Sequence, residues 1–249
     1  MIATIEINGS FYKTDLNKPI DISIPLRAGE NNVNAFHLPP VKIEAFRMGS
    51  FVGAVSEGGP CNVNNIVFNP HGNGTHTECV GHISSEAYSI NQVLDNYFFS
   101  ALLISITPEL SNDGDFLITK EQVRKMIGGK KMEALIIRTK PNDDDKLIRK
   151  YSGTNPPYME AAAAEYIREC GIKHLLLDLP SIDKEEDSGA LSAHHAFWNY
   201  PANTREDCTI TELIYVPDFI MDAEYLLCLH FPSFENDAAP SKPILYSFI

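Results

Sequence analysis

The chain has 249 residues, of which 44% are hydrophobic and 21% charged. That apolar content offsets the entropy of ordering and excludes a disordered chain, and the length suits a single domain over residues 1–249. Lysine and arginine total 20 against 33 aspartates and glutamates, a formal charge of −13, which repels phosphate backbones and anionic bilayers and argues against nucleic-acid or membrane partners.

No apolar run approaches the ~20 residues needed to cross a bilayer, and the start, Met1-Ile2-Ala3-Thr4, lacks the basic and apolar regions of a signal peptide. Five cysteines, an odd number without a CxxC pair, point to reduced thiols and a cytoplasmic protein.

The pattern opens with a hairpin. Thr4–Ile7 and Phe11–Lys13 alternate around Asn8-Gly9, a pair that tolerates the positive φ angles of a tight turn. Ile20–Ile24 is a further alternating strand, and residues 27–40 read as loop. Strand signal returns at Val41–Phe46 and Val63–Phe68. Ala101–Ile106 is a continuous apolar run, as expected of a strand covered on both faces. Thr119 and Gln122 form a capping box ahead of a helix that Gly128-Gly129 ends. Ala134–Ile137 is a second buried strand, and residues 140–157 read as a long exposed loop. A helical stripe runs from Met159 to Cys170 with Gly171 as its stop. His174–Leu179 follows as a buried strand, so strand, helix and strand make a parallel, right-handed βαβ unit. Thr209–Val216, Tyr225–Phe231 and Ile244–Phe248 supply three late strands. The expected fold class is mixed α/β, one domain richer in strand than in helix.

The chemistry concentrates in Asn69-Pro-His-Gly-Asn-Gly-Thr-His-Thr-Glu-Cys-Val-Gly-His82, which holds three of the eight histidines and a carboxylate. With Thr75 onward extended, alternation puts His76, Glu78 and His82 on one face. His71 would return to them around Gly72-Asn73-Gly74. Imidazole and carboxylate together suit zinc or another first-row divalent ion. A hydrogen-bonded turn whose histidines only cap loops is the alternative. Cys79 with His76 as base would make a thiol nucleophile, but alternation sends Cys79 to the opposite face.

A second cluster is Asp178-Leu-Pro-Ser-Ile-Asp183, followed by His194-His195. Asp178 ends a parallel strand, where open α/β sheets place their ligands. Asp178 and Asp183 would support the site from behind or cap loops. Glu212 lies in an otherwise apolar strand, where a carboxylate needs a cation or a donor.

These pieces together resemble the metal-dependent cyclase family, which includes bacterial kynurenine formamidases (arylformamidases) and isatin hydrolases. Its first motif, His-x-Gly-Thr-His-x-Asp-x-Pro-x-His, is matched by Gly74-Thr75-His76-x-Glu78 and His82, with His71 upstream. Arg138-Thr139, Asp178-Leu-Pro-Ser-Ile-Asp183, His194-His195 and Glu212 follow in the family's order. The sequence departs from the motif by one inserted residue between His71 and His76, by Glu78 in place of aspartate, and by Val80 in place of proline.

The resemblance implies a swivelling β/β/α fold, assembled as a homodimer, and a specific site. His71, His76 and Glu78 would hold a metal, zinc or manganese. Glu78 would bridge to a second ion completed by His194 and Glu212, giving one or two ions in all. His82 would transfer the proton. The implied reaction is hydrolysis of an amide-type C–N bond, an arylformamide or a cyclic amide, by metal-activated water in a small-molecule substrate. Phe36 would offer an aromatic wall to a substrate ring or belong to the core. The competing reading is a small-molecule binding protein that keeps the metal without turnover.

Overall fold

A nine-stranded sheet organises the computed structural model, which describes residues 1–249. Its centre is four parallel strands, Phe98–Ile106, Ala134–Thr139, His174–Leu177 and Thr209–Glu212. Their continuous apolar character follows from burial on both faces. Along the first, Leu102, Ile104 and Ile106 enter one core cluster while Phe99, Ala101 and Leu103 enter another on the opposite face. Leu135 and Ile137 separate from Ala134 and Ile136 in the same way, the two-residue period of a pleated strand. Each fully buried Leu or Ile contributes roughly 1.5–3 kcal/mol.

Three helices, Lys120–Ile127, Ala161–Glu169 and Ser192–Trp198, cover the larger cluster with Val123, Ile127, Ala163, Ile167 and Phe197. The Thr119–Gln122 capping box forms, and Gly128 closes that helix in the left-handed region at φ 58°. Gly171, at φ 77°, closes the second. The amino-terminal hairpin pairs Ile2–Ile7 with Ser10–Asp15 through Asn8 and Gly9, both at positive φ.

Three sequence expectations change. Residues 140–157 are no plain exposed loop: they contain a 3-10 turn, Asp144–Leu147, whose Lys146 is buried, as is Tyr151. The ammonium of Lys146 donates to Asp178, Asn142 and the Thr139 carbonyl, so the segment is pinned over the strand ends. Met159 belongs to a short strand, Tyr158–Met159, rather than to the helix. The extended stretch expected through His82 is a strand only over His76–Glu78, framed by a helical turn at Pro70–Asn73 and a 3-10 turn at Val80–His82.

That short strand positions the chemistry. It lies near one edge of the sheet, antiparallel to Thr209–Glu212 on one side and to Ala238–Pro240 on the other. His76 sits opposite Glu212 across the ladder, and Glu78 opposite both Ile210 and Ala238. Opposed residues of a sheet stand within side-chain reach.

Candidate metal centre

The inserted residue between His71 and His76 is absorbed by the helical turn Pro70–Asn73. Asn69 caps it, its side chain accepting from the His71 N–H at 2.9 Å, and the Asn73 side chain accepts from the Asn69 N–H at 2.8 Å. Gly72 is required here by space and not by φ: a Cβ would stand 2.9 Å from the Ala35 carbonyl oxygen. Gly81 is similarly crowded, with its Cβ position 2.5 Å from the Tyr88 carbonyl oxygen. The turn at Val80–His82 is thus pressed against its neighbour and folds His82 back toward Glu78.

Three histidines then share one arrangement, with one ring nitrogen facing the buried carboxylates and the other tied to an outer acceptor. His71 places Nδ1 3.1 Å from Glu78 Oε2, while its Nε2–H donates to Asp237 Oδ2 at 2.8 Å. His194 places Nε2 3.1 Å from Glu78 Oε1, while its Nδ1–H donates to Asp183 Oδ2 at 2.6 Å. His76 places Nε2 3.3 Å from Glu212 Oε2, with Nδ1 3.1 Å from the Gly74 carbonyl. An outer acceptor that fixes the tautomer and aims the free nitrogen inward is the usual support of a metal-binding imidazole.

The innermost atoms lack partners. His76 Nε2 and Glu78 Oε2 are buried without a hydrogen bond of good geometry, a deficit worth roughly 1–3 kcal/mol each. A divalent cation between them removes it, so the residues fit a metal. Donor atoms of His71, His76 and Glu78 converge within 4.8 Å, as do those of Glu78, His82 and His194. Glu78 belongs to both groups. Glu212 adds a carboxylate beside His76, and its other oxygen accepts from the Ile182 N–H at 2.9 Å.

Electrostatics agree with that reading. Burial opposes charge on His71, yet its hydrogen bond to Asp237 and the adjacent Glu78 carboxylate outweigh it and raise its pKa to about 10. His194 rises to about 10 against the same burial, held by Asp183 and Glu78. Burial raises the Glu78 carboxyl, but the surrounding histidines pull it well below the usual range. The same surplus of buried carboxylate charge favours any positive charge at this point, a proton or a metal ion.

His82 is the most open of the four, 29% exposed where His76 and His194 are 0% and 1%. Its ring stacks on His71 at 4.4 Å between centroids, and its Nδ1 is 3.9 Å from Glu78 Oε2. It is therefore the imidazole that solvent or a substrate can reach.

The structure gathers His71, His76, Glu78, His82, His194, Glu212 and Asp183 in one place. It puts Asp178 elsewhere: that carboxylate accepts from Thr139 and from Lys146, at 2.8 Å from the ammonium. Phe36, partly buried, packs against a small cluster of Ile24, Val33, Ala35, Tyr151 and Leu213. His195 turns away, its Nδ1 3.1 Å from the Tyr200 carbonyl. Cys79 faces Ile90 and Ala239, and burial raises its thiol to about 11, which removes the thiolate a nucleophile needs. Sequence reasoning missed Asp237. It lies 166 residues from its partner His71, in a segment without a motif, and only the pairing of Ala238–Pro240 brings it in.

Fold and site together define a mixed α/β protein with a cluster of histidines and carboxylates, near one edge of its sheet, able to hold a divalent cation. The chain belongs to the Cyclase family, whose model matches residues 20–184. The kynurenine formamidase of Bacillus thuringiensis (strain Al Hakam) is 24% identical over 196 residues, spanning 76% of this chain and 82% of the relative. Among solved structures, an isatin hydrolase bound to a product analogue superposes with a TM-score of 0.68 at 17% identity, covering 93% of each chain. Isatin hydrolase A from Labrenzia aggregata gives 0.67 at 14% identity, covering 93% and 94%.

Proposed function

We propose that this protein is a metal-dependent hydrolase of an amide-type C–N bond, acting on an arylformamide or a cyclic amide. The observation that carries the proposal is the convergence of His71, His76 and His194 on Glu78, with two innermost atoms unpartnered. The kynurenine formamidase and isatin hydrolase relatives support the substrate class. Zinc and manganese both suit the donor set of imidazole and carboxylate. His71, His76 and Glu78 would hold one ion, and Glu78, His194 and Glu212 a second.

A bound divalent ion lowers the pKa of water from 15.7 toward about 7 and polarises a carbonyl. The chain's own contribution is positional. Asp183 and the Gly74 carbonyl lock His194 and His76 with their free nitrogens inward. His82, partly exposed and beside Glu78, would hand a proton at its ring nitrogen to the departing amine nitrogen.

One feature bearing on assembly and one bearing on compartment accompany this reading. The antiparallel pair Lys42–Ala45 and Asn64–Val67 forms its own two-stranded sheet with Ile66 and Val67 exposed. Such a ribbon is marginal alone, and a second copy of the chain covering it makes a homo-oligomer. All five cysteines are free, which suits a reducing cytoplasm.

The test is hydrolysis of a formanilide by wild type and His82→Ala, with metal content measured on the same samples. Loss of about 10²–10⁴-fold in turnover is expected, with metal retained and the wild type silenced by chelator. Unchanged turnover in the variant removes His82 from the mechanism.

A further inference from the structure

Asp237 is the one carboxylate of the cluster that no motif announced. Its Oδ2 accepts from His71 Nε2 at 2.8 Å and stands 3.5 Å from His82 Nδ1. The two rings it touches are stacked, 29° apart in plane. Its backbone is fixed by the sheet edge, because its carbonyl accepts from the Cys79 N–H at 3.0 Å and Ala238 pairs with Glu78. On its other side Asp237 borders a polar cleft of about 530 Å³, lined also by Gly81, Ser85, Tyr88, Gln92 and Glu235. A single side chain thus joins the first histidine of the cluster, the solvent-facing histidine and an open cleft.

We propose that Asp237 is a positioning residue that orients His71 toward the cation and holds His82 in the same stack. The assignment rests on the metal-site reading above. His71 has two ring nitrogens and only one can face Glu78. A hydrogen bond from Nε2–H to Asp237 commits the proton to that nitrogen and leaves Nδ1 free to bind. Asp183 does the same for His194, at 2.6 Å through the opposite nitrogen. His82 has no short side-chain hydrogen bond of its own, and its nearest carboxylate oxygen is the same Asp237 Oδ2, at 3.5 Å against 3.9 Å to Glu78, so Asp237 is the group that holds its ring against His71.

The experiment measures zinc affinity by competition with a chromogenic chelator for wild type, Asp237→Ala, Asp237→Asn and His82→Ala, each first shown to melt cooperatively when metal-free. Asp237→Ala is expected to bind zinc about 10–100-fold more weakly, the usual effect of removing an outer partner. Asp237→Asn, whose amide oxygen still accepts from Nε2–H, recovers most of that loss. His82→Ala binds zinc as wild type does. At saturating zinc, Asp237→Ala lowers formanilide turnover, and the same substitution made in a His82→Ala background lowers it no further. Equal zinc affinity in wild type and Asp237→Ala overturns the proposal, as does an equal loss in the alanine and asparagine variants. A wild-type protein that takes up no zinc at all overturns instead the metal reading on which it rests.

Discussion

At the scale of single residues, the site is a competition between protons and a cation for the same ring nitrogens. The carboxylates around them raise His71 and His194 to about 10, against an ordinary imidazole near 6.5. Both therefore hold a proton at neutral pH, and a metal must displace it. The charged rings stabilise the cation-free fold fully below pH 6.5, and that contribution is lost as the pH rises toward about 10. Zinc affinity runs the other way. It is expected to strengthen with pH from 6.5 to 8.5, by up to about tenfold per pH unit for each proton displaced. Chelator competition at three pH values checks this, and a flat profile contradicts it. The His-x-Glu pair at residues 76 and 78 was legible in the sequence because alternation on a strand leaves little choice of direction. Asp237 was not, since nothing local to it distinguishes a site carboxylate from any other loop acid. Asp178 shows the reverse: its place at a strand end suggested the site, but a buried lysine, Lys146, had claimed it.

Elements decide which of these residues meet. The central strands and the capped helix Lys120–Ile127 could be read from apolar runs and from Thr119, Gln122 and Gly128, because each signal is local. The turns flanking His76–Glu78 could not. Their shape depends on crowding of Gly72 by Ala35 and of Gly81 by Tyr88, contacts made by chain remote from the motif or folded back on it. The exposed ribbon Lys42–Ala45 with Asn64–Val67 carries its own consequence. Light scattering is expected to return the mass of a dimer or higher oligomer, and Ile66→Lys with Val67→Lys to shift it toward one chain. A monomeric wild type contradicts the proposal that a second copy covers that ribbon.

For the whole molecule, a parallel sheet buried on both faces supplies a rigid frame, and the antiparallel strands at one edge turn it into a site. His76, Glu78 and Glu212 are neighbours because two strands pair in one register; a slip of one residue would turn His76 and Glu78 to the face opposite Glu212. Helix Ser192–Trp198 then brings His194 down onto Glu78 from the layer above. The order of the motifs along the chain survived in the fold, while their spacing, altered by the extra residue before His76, was accommodated by a capped turn. The central claim is that this convergence exists to bind a divalent cation. Elemental analysis of the protein purified without added metal, alongside Glu78→Ala, tests it most directly. One or two ions of zinc or manganese per chain in the wild type, and almost none in the variant, is the predicted result. A wild type that stays metal-free even after incubation with zinc and manganese would contradict it.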